Sequence, residues 1–335
     1  MSVQNMVGTT RKRLLLREIR YLEQTIDALD LSWLRKSPEL LPGVVVTTQL
    51  PAELVSRIQH VTLRFGGAPS EPWFVCRDHA AGDGIPNDDT EFKPLNVIIS
   101  ALLLTLNPNL RFGPLLGAQG DESGWNFFFE WYDEFHELLG PARKLPLDFC
   151  DYELSPTFED VQVVAEELSR KWQHPIIKLA CDRYMRACFA KTCDVAVLEL
   201  SIALEVLLLC NDPAKRKLLA RRAAIALGST ETQRSDLYRD TCALYKLRNR
   251  VVHEGQLRSA GSLAGIEVNS TVLVRSCRKN VAHLIRLFLR QQSFDKAQLL
   301  SSLDERARSV EPDLADYEKR FVLSTSKKVN ALNRA

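Results

Sequence analysis

Proline and glycine, the residues that interrupt regular structure, are spread unevenly along these 335 residues, and this limits what each half can become. Thirteen of the fifteen prolines lie at or before Pro175, and eleven of the fifteen glycines at or before Gly140. Proline stops helices and leaves ladders without a donor, while glycine frees the backbone for turns. The first 150 residues are therefore cut into short elements. From about residue 155 onward, helix-compatible segments follow one another with few breaks. The chain is expected to divide into an α+β region over 1–150, a helical bundle over 151–292 and a charged tail over 293–335. The fold class expected is mainly α.

In the first region, 11–34 reads as a helix, because Leu15, Ile19, Leu22, Ile26 and Leu29 recur at three- and four-residue steps. Leu41-Pro42-Gly43 breaks it, and the β-branched run at 44–48 reads as a strand. Pro51 opens a short helix to about 64. Residues 66–94 read as loop with a strand at 73–76. The segment 97–106 is apolar throughout, so periodicity cannot separate a buried strand from a buried helix. Loop is expected again over 107–124. Next come Trp125, Phe127, Phe128, Phe129, Trp131, Tyr132 and Phe135, in a chain only 8% aromatic. Such a cluster reads as core, with a base-stacking platform as the sharper alternative.

In the second region, Ser155-Pro156 reads as an N-cap and first-turn proline for a helix to about 172. His174-Pro175 separates it from a second helix over 175–191. A strongly apolar third helix covers 194–210. Asp212-Pro213 opens a fourth, in which Lys215, Arg216, Lys217, Arg221 and Arg222 form either a solvated face or a track for an RNA backbone. Gly228-Ser229 closes it. A fifth helix runs over 235–252, a small-residue loop over 257–269, and a last long helix from Ser270 to about 291. The tail reads as a docked helix with a frayed end.

A net charge of +2 gives no global attraction to polyanions, so a nucleic-acid site has to be a local patch. The eight cysteines form no CxxC pair and sit mostly in apolar runs. They read as reduced, structural thiols of a cytoplasmic protein. No metal-ligand cluster or glycine-rich phosphate loop occurs, so no metal and no cofactor is expected. His60, His79 and His136 are scattered and suggest no chemistry. The first ten residues lack the apolar core of a signal peptide, and Glu199 and Glu205 interrupt the most apolar run, so no membrane span is expected.

Chemically useful side chains crowd one stretch, Leu247-Arg248-Asn249-Arg250-Val251-Val252-His253-Glu254-Gly255. Cutting RNA without a metal needs a group to take the 2′-hydroxyl proton, a group to hold the phosphate charge and a group to protonate the leaving 5′-oxygen. Histidine titrates near neutrality and can do either proton transfer. Arginine matches phosphate oxygens bidentately. Asparagine can orient either. Arg248, Asn249 and His253 thus make a minimal kit for internal transesterification. On a straight helix Arg248 and His253 lie about 140° apart, whereas Asn249 and His253 share a face. The pair converges only if the helix distorts near Val252 or a second copy completes the cleft. Gly255 is placed to stop the helix. Arg-x4-His alone is weak, with roughly half an instance expected by chance in a chain of this composition. A second example, Arg278 to His283, is present. Requiring asparagine after the arginine leaves only the first.

Three segments carry a resemblance. They are Ile202-Ala203-Leu204-Glu205-Val206-Leu207-Leu208, then Ala220-Arg221-Arg222-Ala223-Ala224-Ile225-Ala226-Leu227, then Leu244-Tyr245-Lys246-Leu247-Arg248 onward to Gly255. In this order they resemble the HEPN superfamily, and more narrowly its Apea-like branch. A weaker likeness over 96–132 and 175–191 looks like the leader region of such proteins. The resemblance implies an antiparallel bundle of four to five helices that forms a homodimer, with the Arg-x4-His residues of both copies on one cleft. It implies a metal-independent endoribonuclease of a toxin, defence or RNA-processing system, acting on single-stranded or tRNA-like RNA. Arg248 would contact phosphate, Asn249 would be the polar residue beside it, and His253 would be the acid and base. Glu205 would assist from the earlier helix, a buried structural carboxylate being the alternative, and Arg250 and Arg258, flanking the motif, are placed for substrate phosphate if His253 is the acid. The alternatives are a non-catalytic HEPN module that binds nucleotide, RNA or a protein partner such as an antitoxin, and a scaffold in which Arg248 and His253 only cap a helix.

Overall fold

A computed structural model describes residues 12–21, 39–47, 50, 52–56, 73–79, 89–105, 110–121, 124–131, 157–190, 192–210, 212, 215–254, 261–263, 266–268, 270–291 and 295–310. The protein is mainly helical, with an antiparallel sheet in its N-terminal part. It forms two compact units, residues 1–144 with 148–172 and residues 145–147 with 173–335.

The first unit is built on six strands in the order β2-β3-β4-β1-β5-β6. β1 (Lys12–Tyr21) is a strand, not the helix its leucine spacing suggests. It is central: Leu15 lies opposite Arg77 of β4 (Trp73–His79) on one side and opposite Gly117 of β5 (Leu110–Asp121) on the other. Ladders on both edges, made with distant segments, override the local helical period. Residues 22–34 lie outside the described residues. β5 replaces most of the loop expected over 107–124. Its glycines and proline sit where the ladder is irregular: the β1 register shifts around Gly113 and Pro114, where no donor is required, and the β6 (Gly124–Trp131) register shifts between Gly117 and Ala118. The backbone of the aromatic run from Trp125 to Trp131 is thus β6; its side chains, and Tyr132 and Phe135, lie outside the described residues.

β2 (Glu39–Leu41) and β3 (Val44–Thr47) form a hairpin around Pro42-Gly43. Gly43 has φ +74°, and its N–H donates to Glu39 Oε1 at 2.7 Å. All four β3 side chains are buried, so both faces of the sheet are covered there. A helical turn, α1, spans 52–56. α2 (Asp89–Thr105) settles the ambiguous apolar segment as helix. Every residue from Val97 to Thr105 is buried, and a helix buried all round has no period to read. Ser100 and Thr105 satisfy their hydroxyls on the Asn96 and Ala101 carbonyls at 2.8 and 2.6 Å.

α3 (Phe158–Lys171) starts with a capping box. Asp160 N–H donates to Thr157 Oγ1 at 3.2 Å, and Thr157 N–H donates back to Asp160 Oδ2 at 2.9 Å. The cap is Thr157 rather than the expected Ser155. Val161, Val164, Ala165 and Leu168 form its buried stripe, and it packs against α2 and β2. This helix, expected to open the bundle, therefore belongs to the first unit, which ends at Trp172 instead of near 150.

The second unit contains α4 (Pro175–Cys188), α5 (Cys193–Leu208), α6 (Lys215–Leu227), α7 (Glu231–Glu254), α8 (Ser270–Leu289) and α9 (Lys296–Val310). A short hairpin, β7 (Gly261–Leu263) with β8 (Ile266–Val268), occupies part of the expected loop. α5 and α8 are the interior pair: they pack on each other, and both contact α4 and α7. α7 begins four residues earlier than its sequence suggests. Gln233 N–H donates to Thr230 Oγ1 at 3.2 Å, and Gln233 Oε1 accepts from the Thr230 N–H at 3.3 Å, a second capping box. Between α6 and α7, Gly228 admits no side chain, because a Cβ there would lie 2.8 Å from the Ala224 carbonyl oxygen.

One cation ties three elements together. Arg222 of α6 is only 6% exposed. It donates to Asp304 of α9 through Nε at 3.1 Å and Nη2 at 2.7 Å, to Asp212 at 3.0 Å and to the Leu208 carbonyl at 2.7 Å. The Asp212 carboxyl is held below its ordinary range, first by the Cys210 backbone N–H at 2.9 Å, with burial opposing and Arg222 assisting. Lys296 of α9 donates to the Val206 carbonyl at 2.6 Å and to that of Leu209, placing a cation at the negative end of α5. Burial pushes its ammonium below the usual lysine range.

Candidate functional site

Tyr238, Thr241, Leu244, Leu247 and Val251 anchor α7 to the bundle. Those anchors fix where its polar residues point. The helix runs unbroken to Glu254, so no distortion near Val252 brings Arg248 toward His253. The two remain about 140° apart around the axis. Asn249 and His253, one turn apart, lie together near the middle of the outward face, and His253 is exposed. Arg250, half-buried, is three residues before His253 and flanks it on the side away from Arg248. Gly255 and Arg258 lie outside the described residues.

Arg248 turns toward α5. Its Nη2 is 4.0 Å from Glu205 Oε1, and the two side chains are 28% and 23% exposed. Its Nη1 donates to Asn249 Oδ1 at 3.2 Å, and its guanidinium carbon lies 5.7 Å from the centre of the Tyr245 ring. Glu205 Oε1 is buried and has no hydrogen-bond partner. A carboxylate oxygen in that position costs free energy unless a donor reaches it, and the nearest cation stops just beyond hydrogen-bond range. The phenol of Tyr245 is held above its ordinary range, first by desolvation and then by the Glu205 charge, with the Arg248 charge pulling the other way. Glu205, Tyr245, Arg248 and Asn249 therefore form one connected polar cluster between α5 and α7. His253 stands beside that cluster, one turn beyond Asn249.

Tyr245 was visible in sequence only as a letter of the motif, with no role. Its signal is the three-residue step to Arg248, which stacks the two side chains on one face. The basic run of α6 behaves differently from an RNA track. Arg222 is buried in its clamp, and Arg221 donates to the Asp304 carbonyl at 3.4 Å. The exposed cations of that helix are Lys215 and Lys217, in its first turn. The second Arg-x4-His is also resolved: Arg278 is 4% exposed and donates to the Ala187 carbonyl, tying α8 to α4.

Among the described residues, no three of His, Cys, Asp or Glu converge so as to hold a metal ion. Seven cysteines are free thiols, and Cys150 lies outside the described residues. Among the described residues no helix is long and apolar enough to cross a membrane. No family model matches the chain, no curated protein matches it and no solved structure matches it.

Proposed function

We propose that the chain is a metal-independent endoribonuclease of HEPN type, working as a homodimer on single-stranded or tRNA-like RNA, in a defence or toxin system. The observation that carries this reading is the Glu205–Tyr245–Arg248–Asn249 cluster with an exposed His253 beside it. A structural helix-end cation needs neither the buried carboxylate nor the aromatic face. In the proposed reaction the 2′-oxygen attacks phosphorus while His253 takes its proton. The phosphorus–O5′ bond breaks, and a second His253, from the other copy, protonates the leaving oxygen. Arg248 holds the phosphate charge, steered by Glu205 and Tyr245. The products are a 2′,3′-cyclic phosphate and a 5′-hydroxyl.

The divergence of Arg248 and His253 on a straight helix supports the need for a second copy. The same divergence is the observation that favours the second reading, a HEPN module that binds RNA, nucleotide or a partner protein without cutting. Incubating the purified protein with total RNA in EDTA separates the two. Cleavage that survives chelation and disappears in His253→Ala and Arg248→Ala supports the nuclease. Cleavage equal in parent and variants, or none in the parent, sinks it.

A further inference from the structure

α8 carries charged side chains of one sign. Between Ser270 and Leu289 it contains no acidic residue, although the chain as a whole is nearly balanced, with 44 Lys and Arg against 42 Asp and Glu. Its apolar face, with Leu273, Val274, Cys277, Val281, Leu284, Ile285 and Phe288, is buried in the bundle. Arg278 belongs to that inner side. The remaining basic residues all fall on the opposite side. With 100° between successive residues, Arg275, Lys279, His283, Arg286 and Arg290 lie within an arc of about 80°. Lys279, His283 and Arg290 are exposed, and Arg275 and Arg286 are half-buried between them. Fifteen residue steps span about 22 Å along the axis. An ordinary solvated face mixes signs: α3 carries Glu166 and Glu167 beside Arg170 and Lys171, and α9 carries Asp304 and Glu305 beside Arg306 and Arg308. α6 is also basic, but its Arg222 is buried in the clamp with Asp212 and Asp304.

The charges of the stripe act on one another. The His283 imidazole is held below the ordinary histidine range, first by desolvation and then by the charges of Arg286 and Lys279. Asp240 of α7 accepts from Ser276 at 2.7 Å at the edge of the arc. It is also paired with Arg239 at 3.2 Å.

We infer that the outer face of α8 is a phosphate-tracking surface that binds the backbone of a single nucleic-acid strand. It stands apart from the α7 cluster and holds whether or not that cluster cuts RNA. A row of basic side chains about 22 Å long, four of them Arg or Lys, spans about six phosphates at the rise of a stacked strand. It offers no base-edge readout, so binding is independent of sequence and sensitive to salt. A membrane surface fits less well, because an interfacial helix inserts an apolar face, and here that face is inside the bundle. Val272, 56% exposed, is the one large hydrophobic side chain of α8 standing well out on this side.

The test uses the full chain and a fluorescently labelled single-stranded 2′-O-methyl RNA, which lacks the attacking hydroxyl and so reports binding without cleavage. Anisotropy titrations between about 50 and 200 mM salt compare the parent with Lys279→Glu/Arg290→Glu and with Arg308→Glu, a charge reversal on the exposed side of α9. Lys279 and Arg290 are exposed, and matched helical circular dichroism checks that the variant folds. Loss of two phosphate contacts should weaken binding about tenfold to thirtyfold at about 100 mM salt and flatten the log–log salt slope by about 1.4. The milder Lys279→Gln/Arg290→Gln should fall between, and Arg308→Glu should bind like the parent. The inference is overturned if the double variant binds with unchanged affinity and slope. It is equally overturned if the parent ignores the strand, or ignores it while binding phosphatidylserine vesicles. Strand binding through α8 with no cleavage of unmodified RNA would instead sink the nuclease reading and leave this surface standing.

Discussion

α7 and α8 lie side by side and carry the same spacing, Arg248 to His253 and Arg278 to His283, yet the two arginines do opposite things. Arg278 points inward, is 4% exposed and spends its guanidinium on the Ala187 carbonyl of α4. Arg248 stays at the surface, over the Tyr245 ring and 4.0 Å from an unsatisfied Glu205 oxygen. The spacing itself decides nothing, because five residues on a straight helix always separate the two side chains by about 140°. What differs is which residue of each motif falls on the buried stripe. In α8 the stripe includes Arg278, whereas in α7 it runs through Leu244, Leu247 and Val251 and leaves Arg248 on its flank.

The comparison is most directly tested at the two histidines. If the α7 copy is the working site, His253→Ala should lower RNA cleavage by about a hundredfold to ten-thousandfold, the usual worth of a positioned acid or base. His283→Ala should leave the cleavage rate within about twofold of the parent, since its arginine partner is committed to a carbonyl. Rates are read by single-turnover cleavage of one labelled RNA. Equal losses in the two variants would remove the distinction between the helices, and with it the assignment of the site to α7.

The arginines themselves should show the reverse order in stability. Arg222→Ala leaves Asp212 and Asp304 without their shared cation and should destabilise the second unit by about 3 kcal/mol, at the low end for a broken buried pair because both carboxylates reach solvent. Arg278→Ala strands one carbonyl and should cost about 2 kcal/mol. Arg248→Ala, with a partly exposed side chain and no short contact to Glu205, should cost about 1 kcal/mol or less. Urea midpoints followed by helical circular dichroism rank the three. A large stability loss in Arg248→Ala would make it a structural arginine like the other two.

The sequence told more about the second unit than the first, and the reasons are physical. α4, α5 and α8 have one buried stripe each or a long apolar run between clear breakers, so their spacing survives in the fold. β1 has leucines at helical steps, but its ladders to β4 and β5 come from segments about 60 and about 100 residues away, which no local period can register. α2 is buried all round from Val97 to Thr105 and has no period there. At the helix starts the caps are Thr157 with Asp160, and Thr230 with Gln233, each pair bonding reciprocally, rather than the Ser155 cap and the start at 235 that the sequence suggests. At the site, Arg248, Asn249 and His253 were legible as residue types. That Glu205 would come within 4.0 Å of Arg248 depends on how α5 packs on α7, a contact between residues 43 apart in sequence.

The smallest expected effect is at Tyr245, and it tests whether the α7 cluster is coupled at all. Its phenol ionises above the ordinary value of 10.0, mainly through desolvation and then through the Glu205 charge. A group whose folded value is raised contributes stability that is fully present below the unfolded value. That stability is lost as pH rises through the folded value. The parent should therefore lose more stability than Tyr245→Phe as pH rises above 10.0, while the two behave alike at neutral pH, where the phenol is protonated in both states. Glu205→Gln removes the second cause and leaves the first, so its loss of stability above pH 10.0 should be intermediate. Parallel urea midpoints across that range, taken on the parent and both variants, give the answer. Curves that stay superimposed would mean that Tyr245 and Glu205 do not sense each other, and that the cluster steering Arg248 is no more coupled than the carbonyl contact that holds Arg278.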